Sequence, residues 1–307
     1  AQWTDEPQQA RDWSNDKWAI DITSSACFVK PVCANAGAGA KTEWRVKGAI
    51  ATLVSWTPDT EIHPWQASEL VARAGERTIV ATTKPYASRL PSLVAEAEKA
   101  AVIADRFARD GKTPARYVVY YAATPEWKQW FGWTPPDWSG GVAIDVSDDR
   151  YELVLNADYL HPSAVDDLLR HELTHASSLP GRYTNSRALW WLIEGIAELA
   201  EMEGSPASSH PGASEIAKLI ANGTVTSLDV PPPTSSAEEE IVAARYGVAF
   251  LGVRCISERF GEEKLVQFFH RVVHDGIALS VAAPQILQME WQPLNSECFG
   301  YVRETAG

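Results

Sequence analysis

The sequence has no long apolar run and carries few positive charges. No stretch approaches the roughly 18 uninterrupted apolar residues that a membrane-spanning helix needs. Against 40 Asp and Glu residues stand only 27 Lys and Arg residues, for a formal net charge of −13. This balance opposes binding to nucleic-acid backbones and to anionic lipid surfaces. We therefore predict neither insertion into a membrane nor a nucleic-acid partner.

The first residues also lack the basic segment followed by an apolar segment that marks a signal peptide. The chain begins with Ala rather than Met, as would a mature form whose targeting segment was removed or a trimmed form of a longer protein. Two methionines against 13 tryptophans are compatible with a secreted protein. We expect a secreted or extracytoplasmic location.

Cysteines are few, but their number is even. Cys27, Cys33, Cys255 and Cys298 lie outside any repeated CxxC pair, which argues against a zinc site built from all four. An even number of cysteines favours disulfides and an oxidising compartment. We predict that Cys27 pairs with Cys33 and Cys255 with Cys298; the alternative is four buried free thiols.

The pattern of apolar residues predicts an α+β fold with two domains. Residues 1–88 are expected to form a small α+β domain of unknown role, with strands at Trp44–Trp56 and Glu76–Thr83 and a short helix between them. Residues 89–307 are expected to form a larger second domain.

The second domain is predicted to combine a small sheet with many helices. Its predicted strands are Ala115–Tyr121, Gly140–Val146 and Tyr151–Asn156. Its predicted helices are Leu90–Arg109, Pro162–Ser177, Arg187–Glu203, Ser214–Ala221, Glu238–Phe260, Glu262–Asp275 and Leu279–Glu290. The loops of residues 204–238 could form the rim of a cleft.

Residues 170–175, with the sequence RHELTH, form a candidate metal site. Residues four apart on a helix lie on one face, so His171 and His175 can offer ring nitrogens to the same ion. Glu172 lies next to the first histidine, where its carboxylate can accept a proton from a water without acting as a ligand. We therefore predict a zinc chelate with Glu172 as general base.

A third ligand is predicted on the next helix, at Glu194. Its neighbours on the same helix face are mostly apolar, so its carboxylate would be costly to bury unless a cation offset the cost. One turn further along, Glu198 can accept a hydrogen bond from the outer N–H of a ligand histidine, for which His171 is the candidate. Gly195 would allow the two helices to approach closely.

These residues resemble the HExxH-x18-E pattern of gluzincin zinc metallopeptidases. His175 is followed by eighteen residues and then by Glu194, Gly195, Ile196, Ala197 and Glu198. Residues 191–198 are similar to the Trp-Leu-x-Glu-Gly-x-Ala-Glu stretch of aminopeptidases related to aminopeptidase N. The wider layout also resembles the peptidase-MA-like domains of secreted bacterial proteins, over roughly residues 90–300. The resemblance implies a gluzincin-type metallopeptidase domain with Zn²⁺ as cofactor and peptides or proteins as substrates.

One departure from the family bears on the mode of cleavage. In the aminopeptidases, a glutamate on the Gly-rich edge strand binds the free amine of the substrate, whereas Gly140–Ile144 contains no acid here. Asp145 follows at once, but alternation along a strand predicts that it points away from the cleft. We therefore expect an endopeptidase, whose edge strand could pair with the backbone of an extended peptide.

A further residue enters through the resemblance alone. In gluzincins of this layout, the helix that corresponds to Glu238–Phe260 packs beside the site and often presents a tyrosine, which implies that Tyr246 stabilises the oxyanion. The alternative is a half-buried tyrosine with a satisfied hydroxyl. His270 and His274 have the same spacing as the ligand pair but no adjacent glutamate, so we expect them on a solvated helix face.

Two other functions stay open at this point. The first is an inactive module in which zinc only supports the fold, although such a site would not need Glu172. The second is a hydrolase of some other amide or ester, because the substrate pocket rather than the fold decides the reaction. No oligomeric state is predicted.

Overall fold

Two sheets and ten α-helices make up the residues that the structure describes. This computed structural model describes residues 3–14, 16–26, 34–58, 62–132, 135–136, 138–147, 150–182 and 187–307. The predicted pairing of Cys27 with Cys33 lies outside these residues. Within them, no helix combines the length and the apolar character needed to cross a membrane.

The first sheet is antiparallel throughout, in the order β1-β2-β3-β4. Its strands are β1 (Trp3–Ser14), β2 (Lys17–Ala26), β3 (Ala34–Lys47) and β4 (Ile50–Pro58). The prediction of one strand over Trp44–Trp56 was wrong, because the chain reverses at Gly48, which has a φ of 62°. A glycine accepts this conformation at little cost, so β3 and β4 form a hairpin.

The second sheet is mixed, as predicted, in the order β5-β6-β7-β9-β8. Its strands are β5 (Leu70–Ala74), β6 (Thr78–Thr83), β7 (Tyr117–Ala122), β8 (Gly141–Ser147) and β9 (Arg150–Asn156). β6, β7 and β9 are parallel to one another, whereas the outer strands β5 and β8 are antiparallel to their neighbours. β8 is therefore an edge strand.

Before this sheet, the helix expected between the N-terminal strands is reduced to one turn, α1 (Pro64–Ala67). β5 was not predicted, because its short sequence LVARA has no strict alternation and is held by pairing with β6. Since β5 and β6 belong to the same sheet as β7, the second sheet begins well before residue 88. The division into two domains stays a prediction.

The remaining helices mostly follow the predicted segments. They are α2 (Leu90–Ala104), α3 (Thr124–Gln129), α4 (Val165–Ser178), α5 (Trp190–Glu201), α6 (Ala213–Ala221), α7 (Glu239–Phe260), α8 (Glu262–Val273), α9 (Leu279–Ala282) and α10 (Trp291–Ala306). α2 ends before Asp105, where two short 3-10 turns follow. The helix predicted over Leu279–Glu290 was too long, and α10 was missed. Pro293 and Gly300 disfavour a helix by pattern, but Pro293 lies in the first turn, where its missing N–H is not needed.

A disulfide joins two of these helices. Cys255 on α7 is bonded to Cys298 on α10, with 5.6 Å between their Cα atoms, so this predicted pair is confirmed. Both cysteines are buried in the large apolar cluster that packs between the second sheet and the C-terminal helices. The bond fixes the last helix of the chain to the helix that borders the candidate site.

The second histidine pair does not lie on a solvated face, contrary to the prediction. Nε2 of His274 lies 2.7 Å from the carbonyl oxygen of Ser178, at the end of α4. Nε2 of His270 lies 3.1 Å from the carbonyl oxygen of Phe107. Burial lowers the pKa of His270 to about 4, so its ring stays neutral. The two rings thus connect α8 to neighbouring backbone.

Gly195 does permit a close approach, although the partner is α7 rather than the predicted metal helix. A Cβ at this position would lie 2.5 Å from the carbonyl oxygen of Ala249 and 2.4 Å from Cγ2 of Val253. We predict that Gly195→Ala lowers the free energy of unfolding by about 1 to 3 kcal/mol, the usual cost of overpacking.

A matched control for this substitution is Gly300→Ala on α10, where nothing lies within 4 Å of the added carbon. This change should raise the free energy of unfolding by roughly 0.5 to 1 kcal/mol, because alanine replaces glycine inside a helix. Urea denaturation of both variants measures the difference. Equal free energies of unfolding for the two variants would show that the contact between α5 and α7 has room for the added carbon at Gly195.

Candidate metal centre

Three predicted ligands meet where α4 crosses α5. His171 and His175 lie one turn apart on α4 and are buried, and Glu194 enters from the first turns of α5. Nε2 of His175 is 3.2 Å from Nε2 of His171, and Oε2 of Glu194 is 3.3 Å from each of these nitrogens. The structure thus brings one ligand atom from each residue to a single point.

These separations can be compared with what a metal site requires. A tetrahedral zinc ion with bonds of roughly 2.0 to 2.1 Å keeps its ligand atoms about 3.3 Å apart. Two imidazole nitrogens and one carboxylate oxygen are also a ligand set that zinc accepts, with a fourth position open in catalytic sites. His171, His175 and Glu194 therefore fit a zinc ion in both chemistry and spacing.

The charges at this point also favour a cation. Burial alone would raise the pKa of Glu194, but the facing rings of His175 and His171 lower it to about 2. Burial would lower the pKa of His171, yet its hydrogen bonds to Glu194, Glu198 and Glu201 raise it well above its ordinary value. Without a metal, protonated imidazole has to balance these buried carboxylates. A divalent cation would supply the same positive charge.

The outer side of His171 faces two carboxylates rather than one. Its Nδ1 lies 3.3 Å from Oε1 of Glu198, as predicted from sequence, and 2.9 Å from Oε2 of Glu201. His171, Glu198 and Glu201 also have ligand atoms close enough to hold a metal. A neutral imidazole that binds a metal through Nε2 carries its proton on Nδ1. We therefore interpret Glu198 and Glu201 as acceptors of that proton's hydrogen bond, which orient the ring of His171.

Sequence reasoning missed Glu201 and His210. Glu201 lies three residues after Glu198 and shares its helix face, so helical spacing could have identified it. His210 lies in a loop beyond the helix, and no local pattern connects it with the site. Its Nε2 is 2.9 Å from Oε2 of Glu198.

Backbone geometry fixes the proton positions in this network. The N–H of Gly212 donates to Nδ1 of His210 at 3.0 Å, so the proton of a neutral His210 lies on Nε2. That proton is donated to Glu198, whose other oxygen faces Nδ1 of His171. The chain from Gly212 through His210 and Glu198 thereby holds His171 in the tautomer that a metal ligand needs.

This network predicts that His210→Ala weakens zinc binding roughly tenfold, at the lower end of the range for lost supporting hydrogen bonds. Zinc affinity would be measured by competition with a chromophoric chelator. The matched control is His161→Ala, because the side chain of His161 has hydrogen-bond partners only on Ser163 among the described residues. An unchanged affinity in the His210 variant would show that Glu198 orients His171 unaided.

Glu172 is placed between the ligands and β8. A Cβ at Gly141 would lie 2.9 Å from Oε1 of Glu172, so a larger residue here would displace the carboxylate or the strand. Burial raises the pKa of Glu172 to about 7, although the nearby His171 and His175 oppose the rise. A carboxylate with a pKa near neutrality is suited to accept and return a proton.

A cleft of about 480 Å³ opens in front of these residues. Its wall includes all three ligand residues, Glu172 and Tyr246. The ring of Tyr246 lies 6.1 Å from that of His171 and 5.1 Å from that of Trp190. Burial, followed by the charges of Glu194 and Glu198, raises the pKa of Tyr246 well above its ordinary value. Its phenol therefore stays protonated and can donate a hydrogen bond.

The prediction for Asp145 was wrong. Gly141, Ala143 and Asp145 all line the cleft, whereas Ile144 packs on the other face of the sheet with the cluster around Trp130. Alternation holds along β8, and the position of Gly141 beside Glu172 turns the odd-numbered side chains toward the cleft. Val142 also borders the cleft, but its side chain packs with the cluster around Trp130. Asp145 is exposed, with Oδ2 at 3.4 Å from the hydroxyl of Tyr151.

Comparison with known proteins gives similar solved structures but no sequence family. No protein-family model and no curated protein matches the chain. An M1 zinc metallopeptidase from Deinococcus radiodurans is similar in structure, with a TM-score of 0.45 and 14% identity over 95% of this chain. A two-domain M1 zinc metallopeptidase mutant bound to L-arginine has a TM-score of 0.44 and 16% identity over 98% of this chain.

The chain spans 62% of the first of these solved structures and 61% of the second. Its structural neighbours are thus zinc metallopeptidases at low identity and partial coverage.

Proposed function

We propose that this chain is a zinc-dependent hydrolase that cleaves internal peptide bonds of extended peptides. The observation that carries the proposal is the convergence of His171, His175 and Glu194, with separations of 3.2 to 3.3 Å between their ligand atoms. Glu172 lies beside this point and within the same cleft. A site that served only to stabilise the fold would not need an open cleft with a carboxylate in it.

The residues of the chain have distinct roles in this proposal. A zinc ion, when bound, would act as a Lewis acid and lower the pKa of a coordinated water toward roughly 7. Glu172 accepts the proton of the attacking water and then returns it to the leaving amine. Glu198 and Glu201 accept from Nδ1 of His171 and hold its ring in place, and His210 in turn donates to Glu198.

Tyr246 is assigned to the developing oxyanion. Its side chain lines the cleft next to His171, and its phenol is protonated at neutral pH because of its raised pKa. A hydrogen bond from this hydroxyl would become stronger as negative charge forms on the carbonyl oxygen. This hydrogen bond would therefore stabilise the transition state more than the bound substrate.

Internal cleavage is supported by the edge strand. β8 forms a ladder with β9 on one side and with no second strand among the described residues, although β3 lies near it. Its unpaired backbone groups could therefore accept an extended peptide. Asp145 lies four residues from Gly141, or roughly 13 Å along the strand. It is thus too far away to bind the amine of the residue whose carbonyl is cleaved. The disulfide between Cys255 and Cys298 supports an oxidising, extracytoplasmic location.

The test compares free and N-acetylated versions of a diverse peptide set with the zinc-loaded protein. We expect both versions to be cut at the same internal bond at similar rates, because Asp145, the described acid of the edge strand, lies roughly 13 Å along β8 from Gly141. Mass spectrometry of the products identifies the bond. Stepwise release of single residues, only from peptides with a free amine, would show aminopeptidase action instead.

A further inference from the structure

Two arginines line the cleft. Arg182 and Arg187 line the same cavity as Glu172 and the ligand residues. Arg182 is partly buried and Arg187 is exposed. Neither guanidinium forms an ion pair with any carboxylate in the part of the chain that the structure describes. Both positive charges therefore face the cleft without a described counterion, in a chain whose net charge is −13.

Arg182 is held in a defined position. The backbone N–H of Arg182 donates to the carbonyl oxygen of Leu179 at 3.0 Å, in a turn where Gly181 has a φ of 72°. Its guanidinium carbon lies over the ring of Tyr151, 5.8 Å from the ring centre. A guanidinium over an aromatic ring keeps N–H groups on its edge that can donate to a ligand. The turn thus sets the backbone of Arg182 just after α4, and its guanidinium lies near the ring of Tyr151.

The distance from the catalytic residues follows from β8. Tyr151 lies beside Asp145, with its hydroxyl 3.4 Å from Oδ2, whereas Gly141 lies beside Glu172. Four residues of strand separate these two points, or roughly 13 Å. A peptide extended along β8 would therefore place a residue three or four positions from the scissile bond next to Arg182.

We propose that Arg182, Arg187 and Tyr151 form a carboxylate-binding subsite for the substrate. An acidic side chain and a C-terminal carboxylate share the chemistry that a guanidinium binds in a bidentate manner. Among the described residues that line the cleft, Asp145 brings one negative charge near Tyr151 and the two arginines bring two positive ones, which favours an anion as ligand. This inference rests on the proposed peptide substrate.

The test measures peptide binding to the zinc-loaded Glu172→Gln protein, which cannot turn the peptides over. One set of peptides, blocked at both ends, carries Glu, Gln or Lys three or four residues to either side of the central bond. A second set compares a free with an amidated C-terminus. We expect the carboxylate form in one set to bind about tenfold more tightly than its neutral form, with a smaller difference at high salt. The set that shows the preference identifies the source of the carboxylate.

Variants connect this preference to the arginines. Arg182→Gln should remove most of the preference without changing the Kd of the neutral peptide or the thermal stability, and Arg182→Lys should retain only part of it. Arg303→Gln, an exposed position on α10, serves as the control and should leave the preference intact. A loss of affinity for neutral and acidic peptides alike would indicate a structural role and overturn the assignment.

Other results would also contradict the inference. Equal affinities for all peptides, or no measurable binding of any of them, would show that the subsite does not exist. A preference for Lys would assign this part of the cleft to Asp145. Cleavage by the wild-type protein is assayed separately. Cleavage without a carboxylate preference defeats only this inference, and a preference without any cleavage defeats only the proposed peptidase function.

Discussion

Glu172→Gln is expected to lower peptide hydrolysis by about 10²- to 10⁴-fold while leaving zinc affinity unchanged. The amide has nearly the same shape as the carboxylate and fits against Gly141, but it cannot accept the proton of the attacking water. The measurement is the initial rate on the best peptide, together with the zinc content of the same preparation. A rate close to that of the wild type would exclude Glu172 as the general base.

The matched control for this experiment is Glu304→Gln, which makes the same chemical change at an exposed position of α10. It should retain full activity and full zinc content. If both variants lose activity, the cause lies in the preparation or in overall charge rather than in proton transfer.

His175→Ala is expected to weaken zinc binding by more than about 100-fold, beyond the range that the loss of a supporting hydrogen bond gives. The variant removes one of the three converging ligand atoms, and a pair of donors cannot hold the ion alone. Zinc affinity would be measured by chelator competition, and circular dichroism would show that the variant stays folded.

His270→Ala is the control. His270 and His274 have the same spacing as the candidate ligand pair, but their rings bond to backbone carbonyl oxygens. The control variant should keep wild-type zinc affinity even if stability falls. Full zinc occupancy at unchanged affinity in His175→Ala would refute the ligand assignment.

The core of the site could be predicted because its determinants are local. His171 and His175 are four residues apart on one helix, and Glu194 and Glu198 are four apart on the next. This spacing places each pair on one face of its helix, independently of how the helices pack. The strands around β8 and β9 were also predictable from their apolar pattern. Short-range periodicity is sufficient for such features.

The rest depends on contacts between distant segments. Which face of β8 lines the cleft is decided by the approach of Gly141 to Glu172, and alternation alone placed Asp145 on the wrong side. His210 reaches Glu198 from a loop whose path is set by packing. α10 was missed because Pro293 and Gly300 weaken its local pattern, although the disulfide at Cys298 and the core hold it as a helix.

The most direct test of the central claim is the position of zinc in a crystal of the zinc-loaded protein, located by anomalous scattering at the zinc absorption edge. We expect one strong peak within roughly 2.0 to 2.2 Å of Nε2 of His171, Nε2 of His175 and a carboxylate oxygen of Glu194. A peak on the side of Glu198 and Glu201, or zinc bound only elsewhere on the chain, would contradict it.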